Sequence, residues 1–178
     1  RLKLFSRAER SGNQGFGFVA PHFIAEQHPA YNVNNEFNSV VVEALFSDKQ
    51  LFVGKGAGSH PTASAVLSDV SALSFDYRYE YKKEEGGKGI NFSSDFEVKV
   101  YIGSADISQI NQFVFTQVDE VYQSGTYNYQ TGWINFSQLK GVDFNSKKDL
   151  FLALLPEDIR LNSSTDNEKV SEYETALF

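Results

Sequence analysis

The sequence predicts a strand-rich α+β chain: part of a mixed sheet with one helix after a glycine loop, then a small second α+β unit. Three observations carry this expectation. Aromatic residues are plentiful, with 16 Phe, 9 Tyr and 1 Trp, and β-branched residues cluster in short runs between Gly, Asn, Asp and Ser. From Pro61 onward, Ala63, Val66, Val70 and Leu73 recur at the three-and-four spacing of an amphipathic helix. In the second half, Phe96, Val98, Val100 and Ile102 alternate strictly with polar partners, the pattern of a half-buried strand.

Taken in order, residues 2–8 alternate as a short strand with Leu2, Leu4 and Ala8 facing one way, and 12–15 form its turn. Residues 16–24 continue as an extended segment broken at Pro21, which cannot donate to a ladder. Residues 32–36 are loop. Residues 38–46 are nearly all apolar, which predicts a strand covered on both faces. Ser47, Asp48 and Lys49 then turn the chain, and 50–53 pair back as a hairpin. The helix that follows takes Ser59 as its cap and Pro61 in its first turn, where a missing N–H costs nothing.

Residues 77–89 carry a dense charge run and three glycines, which places a boundary or long hairpin loop there. Beyond it, strands at 96–102, 113–122, 127–136 and 150–155 alternate with short helices at 104–111 and at 137–140, the latter capped by Ser137. The order is β-α-β-β-α-β. Pro156 ends the pattern, and 157–178 is a polar tail expected to be mobile or to lie across the surface. The expected units are therefore 1–74, 75–156 and the tail 157–178. No repeat of 20 to 50 residues emerges.

The 16 Lys and Arg against 23 Asp and Glu leave a formal charge of −7 with no basic patch, which argues against nucleic acid and anionic membranes as partners. No apolar run approaches the roughly 20 residues of a membrane span. Cysteine is absent, which excludes disulfides and thiolate metal sites and fits a reducing cytoplasm. Methionine is absent too, and Arg1 reads as an interior start, so a fragment of a longer protein is expected.

His22, His28 and His60 are the only histidines, and the spacing of His22, Glu26 and His28 suits neither one strand face nor one helical turn. No metal site is expected: His22 and His28 read as surface or turn residues, and His60 as a first-turn helix residue. The segment 127–133, Tyr-Asn-Tyr-Gln-Thr-Gly-Trp, has the aromatic interleaving of a nucleic-acid or sugar platform, but without Lys or Arg it reads as a sheet face covering a core. The Asn-x-Ser sequons at Asn91, Asn135 and Asn162 read as chance matches in a cytoplasmic protein.

The loop 54–58, Gly-Lys-Gly-Ala-Gly, lies between strand and helix, and its glycines permit positive φ and close approach of backbone to a ligand. The helix N-terminus behind it offers unpaired N–H groups and partial positive charge, which suits an anionic or electron-rich group. A plain strand-to-helix turn is the other reading. The spacing excludes a P-loop, because Lys55 precedes the second glycine. It also excludes the dinucleotide fingerprint, because the glycines fall at 54, 56 and 58.

Taken whole, residues 54–69, Gly-Lys-Gly-Ala-Gly-Ser-His-Pro-Thr-Ala-Ser-Ala-Val-Leu-Ser-Asp, resemble the homoserine dehydrogenases. That family carries Gly-x-Gly-Ala-Gly, then Pro-Thr-Ala-x-Ala-Val and an acidic residue near the end of the helix. Leu2 to Leu4, Val19 to Pro21, His28 with Pro29, and Asn38 to Val40 are similar to further elements, so the resemblance spans about residues 1 to 73. It implies NAD- or NADP-dependent interconversion of L-homoserine and L-aspartate 4-semialdehyde, on the route to threonine and methionine, by a cytoplasmic homodimer. It further implies that Gly58 and Thr62, with Gly56 in the same loop, lie at the nicotinamide end of the cofactor, where a backbone N–H and a hydroxyl orient the carboxamide.

The family's Rossmann domain and catalytic lysine have no counterpart here. No residue of this chain is therefore expected to be catalytic, and the chain alone is expected to be inactive. Many such enzymes end in an ACT domain, a small ferredoxin-like unit, and residues 75–156 stand in its place. Gly103-Ser-Ala-Asp-Ile-Ser108 departs from the ACT glycine motif, so a family-specific extension is the rival. A regulatory module that binds an amino-acid effector or mediates dimerisation is the alternative function.

Overall fold

A computed structural model of the chain describes residues 1–11, 13–44, 46–77, 89–144, 146–156, 159–161 and 176–177. The heart of the charge run, the sequon at Asn162 and most of the expected polar tail lie outside the described residues.

Strands β1 (Leu2–Ser11) and β2 (Gln14–Phe23) form a hairpin in which Ser11 stands opposite Gln14. Pro21 does not break β2; it pairs with Leu4. Ile24 N–H donates to Arg1 O at 2.8 Å, so strand alternation turns the nitrogen of Pro21 to the opposite edge. On that edge β2 meets its neighbour at one rung only, so the missing donor costs no ladder bond.

That neighbour is β9 (Phe151–Leu154), and the rung is His22 to Leu154. The main sheet continues through β6 (Phe96–Ser104), β8 (Asn128–Asn135) and β7 (Phe115–Tyr122), with β11 (Ala176–Leu177) beside β1 at the other edge. Two short strands join it, β5 (Asn91–Phe92) on β2 and β10 (Arg160–Leu161) on β6. The sheet is mixed, since β2 runs parallel to both β5 and β9 while the other pairings are antiparallel. It also crosses the boundary expected at 74/75, so strands from both halves share one hydrogen-bonded layer.

Within the second half, β8 lies between β6 and β7, and β6 between β8 and β9, which is the interleaving of a β-α-β-β-α-β unit. Its helices are short. Helix α2 (Ile107–Ile110) is one turn, capped by the Asp106 carboxylate, which accepts from Ser108 N–H at 2.9 Å. The second crossover holds a 3-10 turn at Phe136–Leu139, capped by Asn135 rather than Ser137: Asn135 Oδ1 accepts from Ser137 N–H at 2.9 Å.

One face of the sheet carries the core. Val98, Val100 and Ile102 alternate inward as expected and meet Ile134, Leu152 and Leu154, with Ile110 and Phe113 over them and Phe16 stacked on Phe96 at 4.5 Å. A smaller cluster, Phe5 with Ile24 and Ala30, lies under the segment that follows β2. Leu2, Leu4 and Ala8 do share a face, but it is the open one: Leu4 is 68% exposed, and Phe5 is the inward residue.

The aromatic segment divides: Trp133 is buried, as expected of a face covering a core, while Tyr129 is half-buried and Tyr127 exposed. Tyr129 stacks between Tyr101 and Tyr122 at 5.0 and 5.2 Å, so the rings consume one another's faces and present hydroxyl edges instead of a platform. Trp133 is covered by the Arg160 guanidinium, 3.5 Å from the ring centroid.

Strands β3 (Phe37–Ala44) and β4 (Ser47–Lys55) form a separate two-stranded sheet. Ala44 pairs with Ser47, so the turn comes earlier than the expected 47–49. Only Ser39 and Val41 of β3 are buried, because a lone hairpin has no layer across its second face; the expectation of a strand covered on both sides fails there. Helix α1 (Ser59–Ser74) follows, and no residue in it is buried.

Candidate functional site

The glycine loop hangs from the open end of the β3–β4 hairpin. Phe37 pairs with Lys55 and Asn38 with Gly54, and Gly56 N–H then donates to Glu36 O at 3.1 Å before the chain leaves the ladder. Gly58, at φ 111°, is the N-cap of α1. This corrects the expectation for Ser59, which is instead the first helical residue and holds its hydroxyl 3.3 Å from His60 Nδ1. A glycine cap has no side chain to accept from the first-turn N–H groups, and the helix shows no side-chain cap bond. The positive end of α1 therefore opens onto a cleft of about 620 Å³ lined by Glu36, Lys55, Ala57, Gly58, Ser59, His60, Pro61 and Ser64.

The three expected cofactor residues play different parts. Gly58 lines the cleft and needs glycine for its backbone angle. Thr62 is tied to it: Thr62 N–H and Oγ1–H both donate to Gly58 O, at 3.2 and 2.8 Å. Thr62 itself does not line the cleft; its hydroxyl proton is committed to Gly58 O, which leaves only its lone pairs for another donor. Gly56 does not line the cleft, and a Cβ there would meet Asn38 Nδ2 at 1.7 Å. Close approach is real at Gly56, but the group approached is the protein's own amide.

Sequence reasoning passed over Glu36 and Lys55. Their ion pair, 3.0 Å long, closes the mouth of the hairpin, and the Lys55 ammonium sits 5.3 Å from the Phe37 ring centroid. The Glu36 carboxyl is held below the usual carboxylate range by its own backbone amide first and by Lys55 second. The available signal was hairpin register: with Ala44 opposite Ser47 and Phe37 opposite Lys55, residue 36 falls beside the start of the loop.

Of the histidines, only His60 reaches the cleft. His22 is not a surface residue: it lies buried in β2, its Nδ1 2.9 Å from Ala20 O, edge-on to Phe5 and parallel to Phe18. His28 Nδ1 accepts from Ala30 N–H at 3.1 Å and stabilises a turn. Among the described residues no three His, Cys, Asp or Glu side chains converge on a metal-sized site.

A sequence model of the family described as homoserine dehydrogenase matches residues 1–71. The chain is 40% identical over 72 residues to the homoserine dehydrogenase of Bacillus subtilis, which is 40% of this chain and 17% of that protein. It is 29% identical over 115 residues to that of Lactococcus lactis, 65% of this chain and 25% of the relative. The matched stretch thus spans about a sixth to a quarter of these relatives. Among solved structures, a homoserine dehydrogenase from Thiobacillus denitrificans superposes with a TM-score of 0.61 at 21% identity, covering 89% of this chain and 42% of its own, a likeness of fold.

Proposed function

We propose, from the match of residues 1–71 to the homoserine dehydrogenase family model, that the chain supplies the nicotinamide-facing edge of an NAD- or NADP-dependent homoserine dehydrogenase. The observation that carries this reading is the uncapped start of α1, where Gly58 leaves room at positive φ and Thr62 presents a polarised hydroxyl beside it. A carboxamide needs such a donor–acceptor pair to be held in one orientation. In the reaction, the carbinol carbon of L-homoserine gives a hydride to the nicotinamide ring and its hydroxyl gives a proton to a base, leaving L-aspartate 4-semialdehyde. No residue here is assigned as that base, and the chain alone is inactive on this reading. The cytoplasm and a homodimer belong to the same proposal.

Residues 75–156 are read as an integral part of the same unit rather than as a separate ACT-like regulatory module. The shared sheet supports this. So does the likeness to the Thiobacillus denitrificans structure, which covers more of the chain than its first 74 residues supply. A melting-temperature shift of the chain with threonine or methionine would favour the regulatory alternative, since a ligand selective for the folded state must stabilise it.

The test of the main reading joins the part of the Bacillus subtilis relative that precedes the matched stretch to the chain and follows nicotinamide reduction by L-homoserine. Activity is expected, and Gly58→Asp should reduce it at least tenfold, because the new side chain is strained at φ 111° and brings negative charge to the cleft. A joined protein without homoserine-dependent reduction overturns the proposal.

A further inference from the structure

We infer that Asn38, Glu36 and Lys55 are positioning residues for the glycine loop, fixing where Gly58 and the start of α1 stand relative to the cofactor. The inference rests on the cofactor-facing reading of that loop. Three glycines in five residues give the loop little stiffness of its own, so its position has to be imposed from outside. The imposing groups lie at the open end of the hairpin: Glu36 just before β3, Asn38 in β3 and Lys55 at the end of β4. Asn38 stands opposite Gly54 in the ladder and presses its amide against Gly56, where even a methyl group would collide with it. Glu36 binds twice, accepting the Gly56 N–H on its carbonyl and the Lys55 ammonium on its carboxylate. Lys55 and Gly56 are thus tied from both sides, two residues before the helix cap.

The magnitudes decide what to look for. The Glu36 and Lys55 side chains are each about half exposed, so their pair alone is worth a few-fold at most. The Asn38–Gly56 contact should couple strongly, because it consists of one side chain filling the space that the other residue leaves.

The first measurement uses amide hydrogen exchange on the chain itself. Asn38→Ala, Glu36→Gln and Lys55→Ala should each speed exchange of the Gly56 amide, with the β1–β2 rungs unchanged. The second uses the joined enzyme. There each variant should raise the cofactor KM by about twofold to fivefold with kcat within about twofold, a split that general destabilisation does not produce. Gly56→Ala combined with Asn38→Ala should be no worse than Gly56→Ala alone. Unchanged Gly56 exchange, unchanged cofactor KM, or strictly additive effects of the two substitutions would overturn the inference. Exchange that responds in a joined protein lacking any homoserine-dependent activity would instead overturn the functional reading and leave the loop contact standing by itself.

Discussion

Replacing Gly132 with alanine should be among the most damaging one-carbon changes available in this fold. Gly132 lies in β8, between Val100 of β6 and Val118 of β7, beside the places where β7 shifts register. A Cβ at this position would stand 2.1 Å from Gln117 O and 2.9 Å from Phe115 Cδ1. The first of these is backbone, so relief requires β7 to move by more than an ångström, not a side chain to rotate. Overpacking of this kind costs about 1–3 kcal/mol, and holding alanine at φ 156° adds about 1–3 kcal/mol. The total is about 2–6 kcal/mol. With a urea m-value of about 2 kcal/mol per molar, the unfolding midpoint should fall by roughly 1–3 M. Gly54→Ala is the control, since a Cβ there meets nothing within 4 Å, and its midpoint should stay within about 0.3 M of the parent. Adding Phe115→Ala should not rescue Gly132→Ala, because the carbonyl collision remains. A Gly132→Ala midpoint within about 0.5 M of the parent, or full rescue by Phe115→Ala, would refute the reasoning.

Three further outcomes follow from the same geometry. Burial lowers the pKa of His22, as do Arg7 and His28, while the Ala20 carbonyl partly offsets them; His28 is lowered by burial and by Lys49. The unfolded chain therefore binds these protons first, so stability is full above about pH 6.5 and falls as pH drops toward the folded-state values. His22→Phe should remove about half of the loss between about pH 7 and pH 5.5 in thermal melts, and an unchanged slope counts against it. Asn128 is buried, its amide donating to Ser104 O and Ala105 O at 3.3 and 3.0 Å and its Oδ1 accepting from Ser124 N–H at 3.2 Å. Asn128→Ala should cost about 2–3 kcal/mol by chemical denaturation, and a loss under about 1 kcal/mol would show that water replaces these bonds. In the joined enzyme, Thr62→Val should raise cofactor KM by about threefold to tenfold while Thr62→Ser restores it; equal values for the two would remove the hydroxyl from the site.

What could be read from the sequence was what neighbouring residues decide. Strict alternation placed β6 and its inward Val98, Val100 and Ile102, and the three-and-four spacing placed α1. The glycine loop was legible as a strand-to-helix junction, and Gly58 within it as a position that needs positive φ. Alternation does not say which face is covered, however, and so Leu4 and the aromatic segment around Tyr129 were not distinguished from Phe5 and Ile134. Nor does an apolar run say how many layers lie over it, which is why β3 reads as covered on both faces while only its Ser39 and Val41 are buried. Gly56 was read as making room for a ligand because the residue that fills that room, Asn38, is eighteen positions away in the chain and adjacent only through the hairpin register. The His22–Leu154 rung that joins the two halves of the sheet is less legible still, since neither residue carries any local mark of the other.

Helix α1 shows how these limits bear on function. Its apolar positions are legible, yet Val66 and Val70 are 57% exposed and Leu73 is 68% exposed. An isolated helix of 16 residues is marginal in water, so this stripe implies a covering surface that the described residues do not provide. The same rod begins at Gly58 and carries Thr62 one turn in, tied back to Gly58 O. On the proposed reading, whatever packs on Val66, Val70 and Leu73 also sets the angle at which Gly58 and Thr62 would meet a cofactor, because a helix transmits the displacement of one face to its end. The hairpin fixes the loop on one side and the missing surface fixes the helix on the other. On this argument the surface that stabilises α1 is the one that completes the site, and Val70→Ser in the joined enzyme should raise the cofactor KM although Val70 lies three turns from the loop. An unchanged KM, with the helix still formed, would show that the stripe and the site are independent.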